Sequence, residues 1–273
     1  APVPVVNVKR RESRLGGAAN VALNCRSLGA SVALVGSVGE DESGNELTSL
    51  VQEAGINSQI IIKPKAITTK KTRIVAGLHQ VARVDFECNP MEHYHEDFLP
   101  FESLISDADI VVVSDYAKGF VHHANKIIEI ANRCKKKVLI DPKKQSSSNY
   151  SGASLITPNL KEFENMVGLC RDEDEIGIKA RAVIERLNLE CLVLTRSSDG
   201  MTLFQGTKSY SIPSIAKEVF DVSGAGDTVI ASLALGLSVG MSFIDAVIFG
   251  NKCASIAVSK FGTASVTLAD LEI

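Results

Sequence analysis

The sequence predicts an α/β fold: a mostly parallel central sheet with helices on both faces, plus a small β-sheet lid. Three observations carry this. From Asp109 onward, short strands that are apolar throughout alternate with helical stretches, as a sheet buried on both faces requires. Between Gln59 and Glu87 the chain is instead β-branched, alternating and charged, with no helical period, which suits consecutive antiparallel strands. Finally, Asp221-Val222-Ser223-Gly224-Ala225-Gly226-Asp227-Thr228 runs straight into the helix formers Val229 to Leu235, a loop-to-helix junction made of small residues.

The elements follow in order. The segment up to Val8 alternates and carries prolines, so an edge strand is expected there. Gly16-Gly17-Ala18-Ala19-Asn20 opens a helix to Leu28, closed by Gly29. Val32 to Val35 reads as a buried strand ending in Gly36-Ser37-Val38-Gly39, and a helix from about Glu42 to Glu53 stops at Gly55. Gln59 to Lys63 and Lys71 to Glu87 supply two or three strands that join the N-terminal strand in a small sheet outside the main fold. The core continues with strand Ile110 to Ser114, helix Val121 to Cys134, strands Val138 to Asp141 and Ser154 to Thr157, a helix from Leu160 and another from about Asp174 to Leu187. Strand Cys191 to Thr195, a hairpin of Met201–Gln205 with Lys208–Ile212, and helices Asp227–Val239 and Ser242–Lys260 complete it. All 273 residues then form one domain, with a lid from about 1–12 and 57–88 and a core from about 13–56 and 89–273.

Composition excludes several function classes. A net charge of −3 provides no broad basic field for nucleic acid. No apolar run approaches the roughly 20 residues of a membrane span, and the start shows no charged leader region. Six cysteines at 25, 88, 134, 170, 191 and 253 have no Cys-x-x-Cys spacing, so a zinc site is not expected. Free thiols in apolar stretches suit a reducing cytoplasm.

Chemistry concentrates after strands and at helix starts. In Gly224-Ala225-Gly226-Asp227 the absence of side chains lets backbone N–H groups converge on an anion, helped by the helix dipole. Asp227 either caps the helix or takes a proton from an attacking hydroxyl. Neither the dinucleotide loop nor the P-loop fits: position 229 is Val, and no Gly-Lys-Ser/Thr occurs. Asp115 and Lys118, Asp141 and Lys143, Asn159 and Glu162, then Thr195, Arg196 and Gly200 follow successive strands, where open α/β sheets bind ligands. Any one of them alone is an ordinary cap; together they line one rim. Asn159 and Glu162 suit Mg²⁺ held through water. Gly16, Gly17 and Asn20 offer close backbone approach and an amide for a polyol.

Gly16-Gly17-Ala18-Ala19-Asn20 with Gly36 to Gly44, and Asp221 to Thr228, resemble the two signatures of the ribokinase-like sugar kinases. Asn159-Leu160-Lys161-Glu162 is similar to their Asn-x-x-Glu element. Lys71-Thr72-Arg73, Arg83 to Glu87, Ser114 to Gly119 and Thr157 to Leu160 further resemble the kinase domain of the heptose-7-phosphate kinase and ADP-heptose synthase family. The resemblance implies transfer of the ATP γ-phosphoryl group to the anomeric hydroxyl of the sugar phosphate, with Mg²⁺. It implies Asp227 as base and Gly224, Ala225 and Gly226 around the transferring group. Asn159, Leu160, Lys161, Glu162, Thr195, Arg196, Gly200, Asn251 and Gly262 are then expected at the nucleotide, with Glu162 toward the metal. Gly16, Gly17, Asn20, Lys71, Arg73, Arg83, Asp115, Lys118, Asp141 and Lys143 are expected at the sugar phosphate. A homodimer through the lid sheets is implied, as is a first strand ahead of Ala1 with an Asp for the sugar. Another ribokinase-like kinase, or a non-catalytic nucleotide- or sugar-binding relative, are the rival readings.

Overall fold

The computed structural model describes residues 5–77, 79–143, 147–260 and 262–271. Its first unit is α1 (Ala18–Ser27), β1 (Ala33–Gly39), α2 (Glu42–Glu53) and β2 (Asn57–Lys63). An antiparallel hairpin follows, β3 (Lys70–Ala76) and β4 (His79–Phe86). After α3 (Glu102–Asp107) come β5 (Ile110–Ser114), α4 (Ala124–Arg133), β6 (Lys137–Asp141), β7 (Leu155–Ile156), α5 (Leu160–Val167), α6 (Glu173–Leu187) and β8 (Cys191–Thr195). The chain closes with β9 (Met201–Gln205), β10 (Lys208–Ile212), α7 (Ala225–Ser238) and α8 (Phe243–Val258).

The six-stranded sheet has the order β10-β9-β8-β7-β6-β5, parallel from β5 to β8 and antiparallel beyond. Strand alternation sorts its side chains to two cores. Val138, Ile140, Leu192 and Leu194 meet Ile128 of α4 and Ala180 and Val183 of α6. Leu139, Leu155, Cys191 and Val193 point the other way, to Val21 of α1, Val229, Ile230 and Leu233 of α7, and Val247 of α8. Each such side chain contributes about 1.5–3 kcal/mol on burial, which is why these strands carry no polar face.

Three sequence expectations are corrected. Gln59 to Lys63 does not belong to a lid: β2 pairs in parallel with β1, Asn57 opposite Ala33, because α2 carries the chain back over as a βαβ crossover. Its half-exposed alternation imitates a hairpin strand. The N-terminal segment forms no strand over residues 5–8; Val5 and Val8 are solvent-exposed, and Ala1 to Pro4 lie outside the described residues. Among the described residues the small sheet is therefore β3 and β4 alone, with a register shift between Ile74 and Val75. α3 was not foreseen, and the helix expected from Val121 begins only at Ala124.

β1 and β5 border a broad hollow whose lining includes Gly16, Arg73, Tyr116, Asp221 and Asp227. Among the described residues no helix is long and apolar enough to cross a membrane.

Candidate active site

Asp227 sits in the first turn of α7, 5% exposed. It does not cap its helix. The N-cap is Gly224, without any side-chain cap, and the Asp227 carboxylate is turned toward α1 and the turn after β5. Asn20 Nδ2 donates to Oδ2 at 2.7 Å, and the Tyr116 hydroxyl donates to Oδ1 at 2.7 Å. Burial raises the Asp227 carboxyl above its ordinary range; the two donors and the Lys143 charge pull it back without cancelling the effect. A carboxylate raised by burial and held in place by fixed donors is a competent proton acceptor.

Gly224 explains its own residue type. Its φ is +81°, and a Cβ there would sit 2.8 Å from Asn20 Nδ2, so only glycine lets Asn20 reach Asp227. Asn20 is fixed in turn: Asn24 Nδ2 donates to its backbone carbonyl at 2.9 Å, and Thr228 Oγ1 donates to Asn24 Oδ1 at 3.2 Å. At the helix start the Ala225 N–H is taken by the Val222 carbonyl at 3.2 Å. Gly226 N–H meets no protein acceptor among the described residues, so of the two amides expected at an anion this one is available. Gly17 is the N-cap of α1 at φ +55°, and it lines the cleft with Gly16.

Along the sheet rim, Asn159 and Glu162 form a capping box on α5. Asn159 Oδ1 accepts the Glu162 N–H at 2.9 Å, and Glu162 Oε2 accepts the Asn159 N–H at 2.9 Å. Glu162 Oε1 accepts from Lys143 Nζ at 2.6 Å. Burial pulls the Lys143 ammonium down, but Glu162, Asp141 and Asp227 outweigh it and hold the proton more firmly than usual. Asp141, at the end of β6, is pushed up to about 7 by burial, with the Asp227, Glu162 and Asp115 charges adding to it and Lys143 opposing. Among the described residues no cluster of three or more His, Cys, Asp or Glu is arranged to hold a metal. Both Glu162 oxygens are engaged, so a divalent ion would have to take Oε1 from Lys143, with water and phosphate as its other ligands, as is usual for Mg²⁺.

Asp115, expected at the sugar, is 2% exposed, and the protein itself satisfies it. Its Oδ1 accepts the Ala117 N–H at 2.8 Å and its Oδ2 accepts the Tyr150 hydroxyl at 2.8 Å. What it visibly does is lock a turn. Arg196 is paired with Glu173 of α6. Leu160, Lys161, Thr195 and Arg196 line a second hollow with Asn159, about 940 Å³. Gly200 closes the turn after β8 at φ +84°, with its backbone packed on that of Ile212. Asn251 Nδ2 donates to the Pro213 carbonyl at 2.8 Å, and Gly262 N–H donates to Asp221 Oδ2 at 3.1 Å. These two therefore secure the segment between β10 and α7.

The basic residues of the hairpin separate into two kinds. Lys71 Nζ pairs with Asp85 and Glu87, Arg83 with Asp85, and Lys118 with Glu87. Arg73 makes no hydrogen bond or ion pair among the described residues, and its charge is one of the influences lowering Asp221. It faces the same cleft as Asp227.

The pfkB family carbohydrate kinase model matches residues 1–270. The chain belongs to the pfkB carbohydrate kinase family. It is 46% identical over 278 residues to "Bifunctional protein HldE" of Methylococcus capsulatus, covering 100% of this chain and 58% of that protein. The protein of the same name from Alkalilimnicola ehrlichii is 45% identical, over 99% of this chain and 57% of that one. The chain thus spans less than two thirds of the length of these relatives. Among solved structures, Arabidopsis thaliana ribokinase complexed with ribose and ATP superposes with a TM-score of 0.83 at 19% identity, covering 98% of this chain and 90% of that one. Phosphofructokinase-2 from Escherichia coli gives 0.78 at 19% identity, covering 94% and 85%. The ribokinase-like fold is the shared property, and the enzyme class is that of an ATP-dependent sugar kinase.

For this pfkB kinase the sequence reading missed Tyr116, Asn24 and Glu173. Tyr116 lies between two residues it singled out, Asp115 and Lys118. The available signal was its type, an apolar ring with a polar tip directly after a buried strand.

Proposed function

We propose that this pfkB kinase transfers the ATP γ-phosphoryl group to the anomeric hydroxyl of D-glycero-D-manno-heptose 7-phosphate, giving the 1,7-bisphosphate used for ADP-heptose and the lipopolysaccharide core. The observation that carries the reading is Asp227, buried at the start of α7, held by two fixed donors and lining the hollow that Arg73 also borders. The motif resemblance and the naming of the 43–46% identical relatives as HldE support the heptose.

In this reading Asp227 accepts the proton of the anomeric hydroxyl as its oxygen attacks the γ-phosphorus, and ADP leaves. General-base help of this kind is worth about 10²–10⁴ in rate. Gly226 N–H and the α7 dipole face the charge on the transferring group. Arg196 exchanges Glu173 for nucleotide phosphate, and Lys161 and Thr195 border the same hollow. Glu162 would hold Mg²⁺, which would supply charge neutralisation for the phosphates. Gly16, Gly17 and Asn20 approach the sugar, while Arg73, with Arg83, Lys71 and Lys118 behind it, meets the 7-phosphate. The reading places the enzyme in the cytoplasm, in keeping with six free thiols. It also makes the protein a homodimer through the β3–β4 hairpins, where Val75, Val81, Val84 and Phe86 are exposed.

The test is ADP release with heptose 7-phosphate, fructose 6-phosphate and ribose, each against a blank without sugar. Heptose 7-phosphate should give the highest kcat/KM. Preference for another sugar would overturn the substrate, and release no faster than the blank with any sugar would overturn the kinase assignment.

A further inference from the structure

The turn after β5 is built to deliver one side chain. Asp115 N–H donates to the Asp141 carbonyl at 3.0 Å, which ties the turn to β6. The two Asp115 oxygens hold Ala117 N–H and Tyr150, whose ring is fully buried. Ala117 has φ +55°, a left-handed conformation unfavourable for a non-glycine residue. The Asp115 contacts offset that cost, and the result is that Tyr116 points at the base. Its ring lies against Gly17, where a Cβ would be 3.7 Å from it, and Lys143 Nζ stands 5.6 Å from the ring centroid. Its hydroxyl donates to Asp227 Oδ1.

We infer that Tyr116 is a positioning residue of this kinase: with Asn20 it clamps the Asp227 carboxylate in the orientation that receives the acceptor's proton. The inference rests on the reading of Asp227 as the base. Two donors on different oxygens fix both the plane and the rotation of a carboxylate. Each oxygen keeps a lone pair for the incoming hydroxyl. Asn20 alone would leave the group free to turn about its Oδ2 contact, and a misaligned base loses the advantage of held geometry. The phenol is suited to this role because burial, then the Asp227 charge and the shared hydrogen bond, push its ionisation far above the ordinary tyrosine range. It therefore remains a donor at every working pH.

A clamp of this kind also tunes the base. A donor favours the ionised carboxylate, working against the burial that raises it. Of the charges near Asp227, Lys143 favours its ionisation, and Asp141 is itself raised by the Asp227 charge. Neither is altered by removing the Tyr116 hydroxyl.

Tyr116→Phe keeps the ring against Gly17 and removes only the donor. Turnover should fall about 10–100-fold with KM for both substrates little changed. The acidic limb of the kcat–pH profile should move up by about one pH unit. Replacing Tyr116 by 3-fluorotyrosine, a stronger donor of nearly the same size, should move that limb down. A role confined to packing would leave the limb in place in both proteins, and that result overturns the inference. Asp227→Asn separates it from the base assignment. An active Asp227→Asn protein removes the foundation, whereas an inactive one beside an unshifted Tyr116→Phe profile removes Tyr116 alone.

Discussion

Asp141 makes the ionisation of the site measurable without any substrate. It is 5% exposed, and burial together with the Asp227, Glu162 and Asp115 carboxylates displaces it from an ordinary 3.8 to about 7. At about 1.4 kcal/mol for each tenfold change, this is ~4 kcal/mol. The sign follows from linkage. Below pH 4 the group is protonated in both folded and unfolded chains and contributes nothing. As pH rises from about 4 to 7 the unfolded chain gives up its proton while the folded one keeps it, so stability is lost across that window and stays lost above it. Asp141→Asn cannot ionise and escapes this loss. The variant should therefore gain on the parent by ~4 kcal/mol between pH 4 and pH 8, whatever constant offset the amide introduces. Urea unfolding of both proteins at several pH values measures this directly, since the difference in midpoint times m gives the gap at each pH. A gap that does not change with pH would show that Asp141 ionises as an ordinary carboxylate, and the charge reading of the rim would fail with it.

Other outcomes concern activity and assembly. Asp227→Asn should keep nucleotide binding and lose at least about 100-fold in turnover by coupled ADP assay; its fold should survive, because the Asn20 amide can turn its carbonyl to the new NH₂. Near-parental turnover would remove Asp227 as the base. Glu162→Gln should raise the Mg²⁺ concentration for half-maximal rate with sugar KM little changed, and an unmoved Mg²⁺ titration would refute its role. Sedimentation at micromolar concentration should show a dimer that Val81→Glu dissociates, and a monomeric parent would rule out the hairpin interface.

What the sequence made legible was whatever depends on period and local chemistry. The alternation of apolar strands with helices placed β5 to β8 nearly residue by residue, because burial on both faces leaves a continuous signal, and β9 and β10 read as a hairpin. α2 was bounded at about Glu42 and Glu53 with Gly55 as its stop, and in the structure Asp41 caps its start by accepting the Gly44 N–H. β2 was misplaced because alternation reports half-exposure and not partner: whether Gln59 to Lys63 pairs with a neighbour in sequence or with β1 depends on where α2 returns the chain. The site was legible as residue types along one rim, but not as pairings. Asp115 and Asp141 follow successive strands and read alike, yet one is spent on Ala117 and Tyr150 while the other is buried among charges. Nothing in sequence spacing separates them. Tyr116 to Asp227 spans 111 positions, and Asn20 to Asp227 spans 207.

The charge arrangement of the rim argues for a divalent cation independently of any resemblance. A polyphosphate reaching Gly226 N–H approaches Asp227 and, near it, Asp141 and Glu162. The cation nearest these carboxylates is Lys143, and it is already bound to Glu162 at 2.6 Å. One ammonium shared among three carboxylates leaves an excess of negative charge in a partly dry site, where like charges repel more strongly than in water. Phosphate added to that excess would be driven off, or would force protonation of Asp141 first and then of Asp227, whose ionised form the reaction needs. Neutralising charge has to arrive with the nucleotide. In the proposed reading Glu162 Oε1 receives it in exchange for Lys143, while the other oxygen stays committed to the α5 cap. The capping box and the proposed metal role are therefore compatible: the cap uses one Glu162 oxygen, and the other, now on Lys143, lies at the rim.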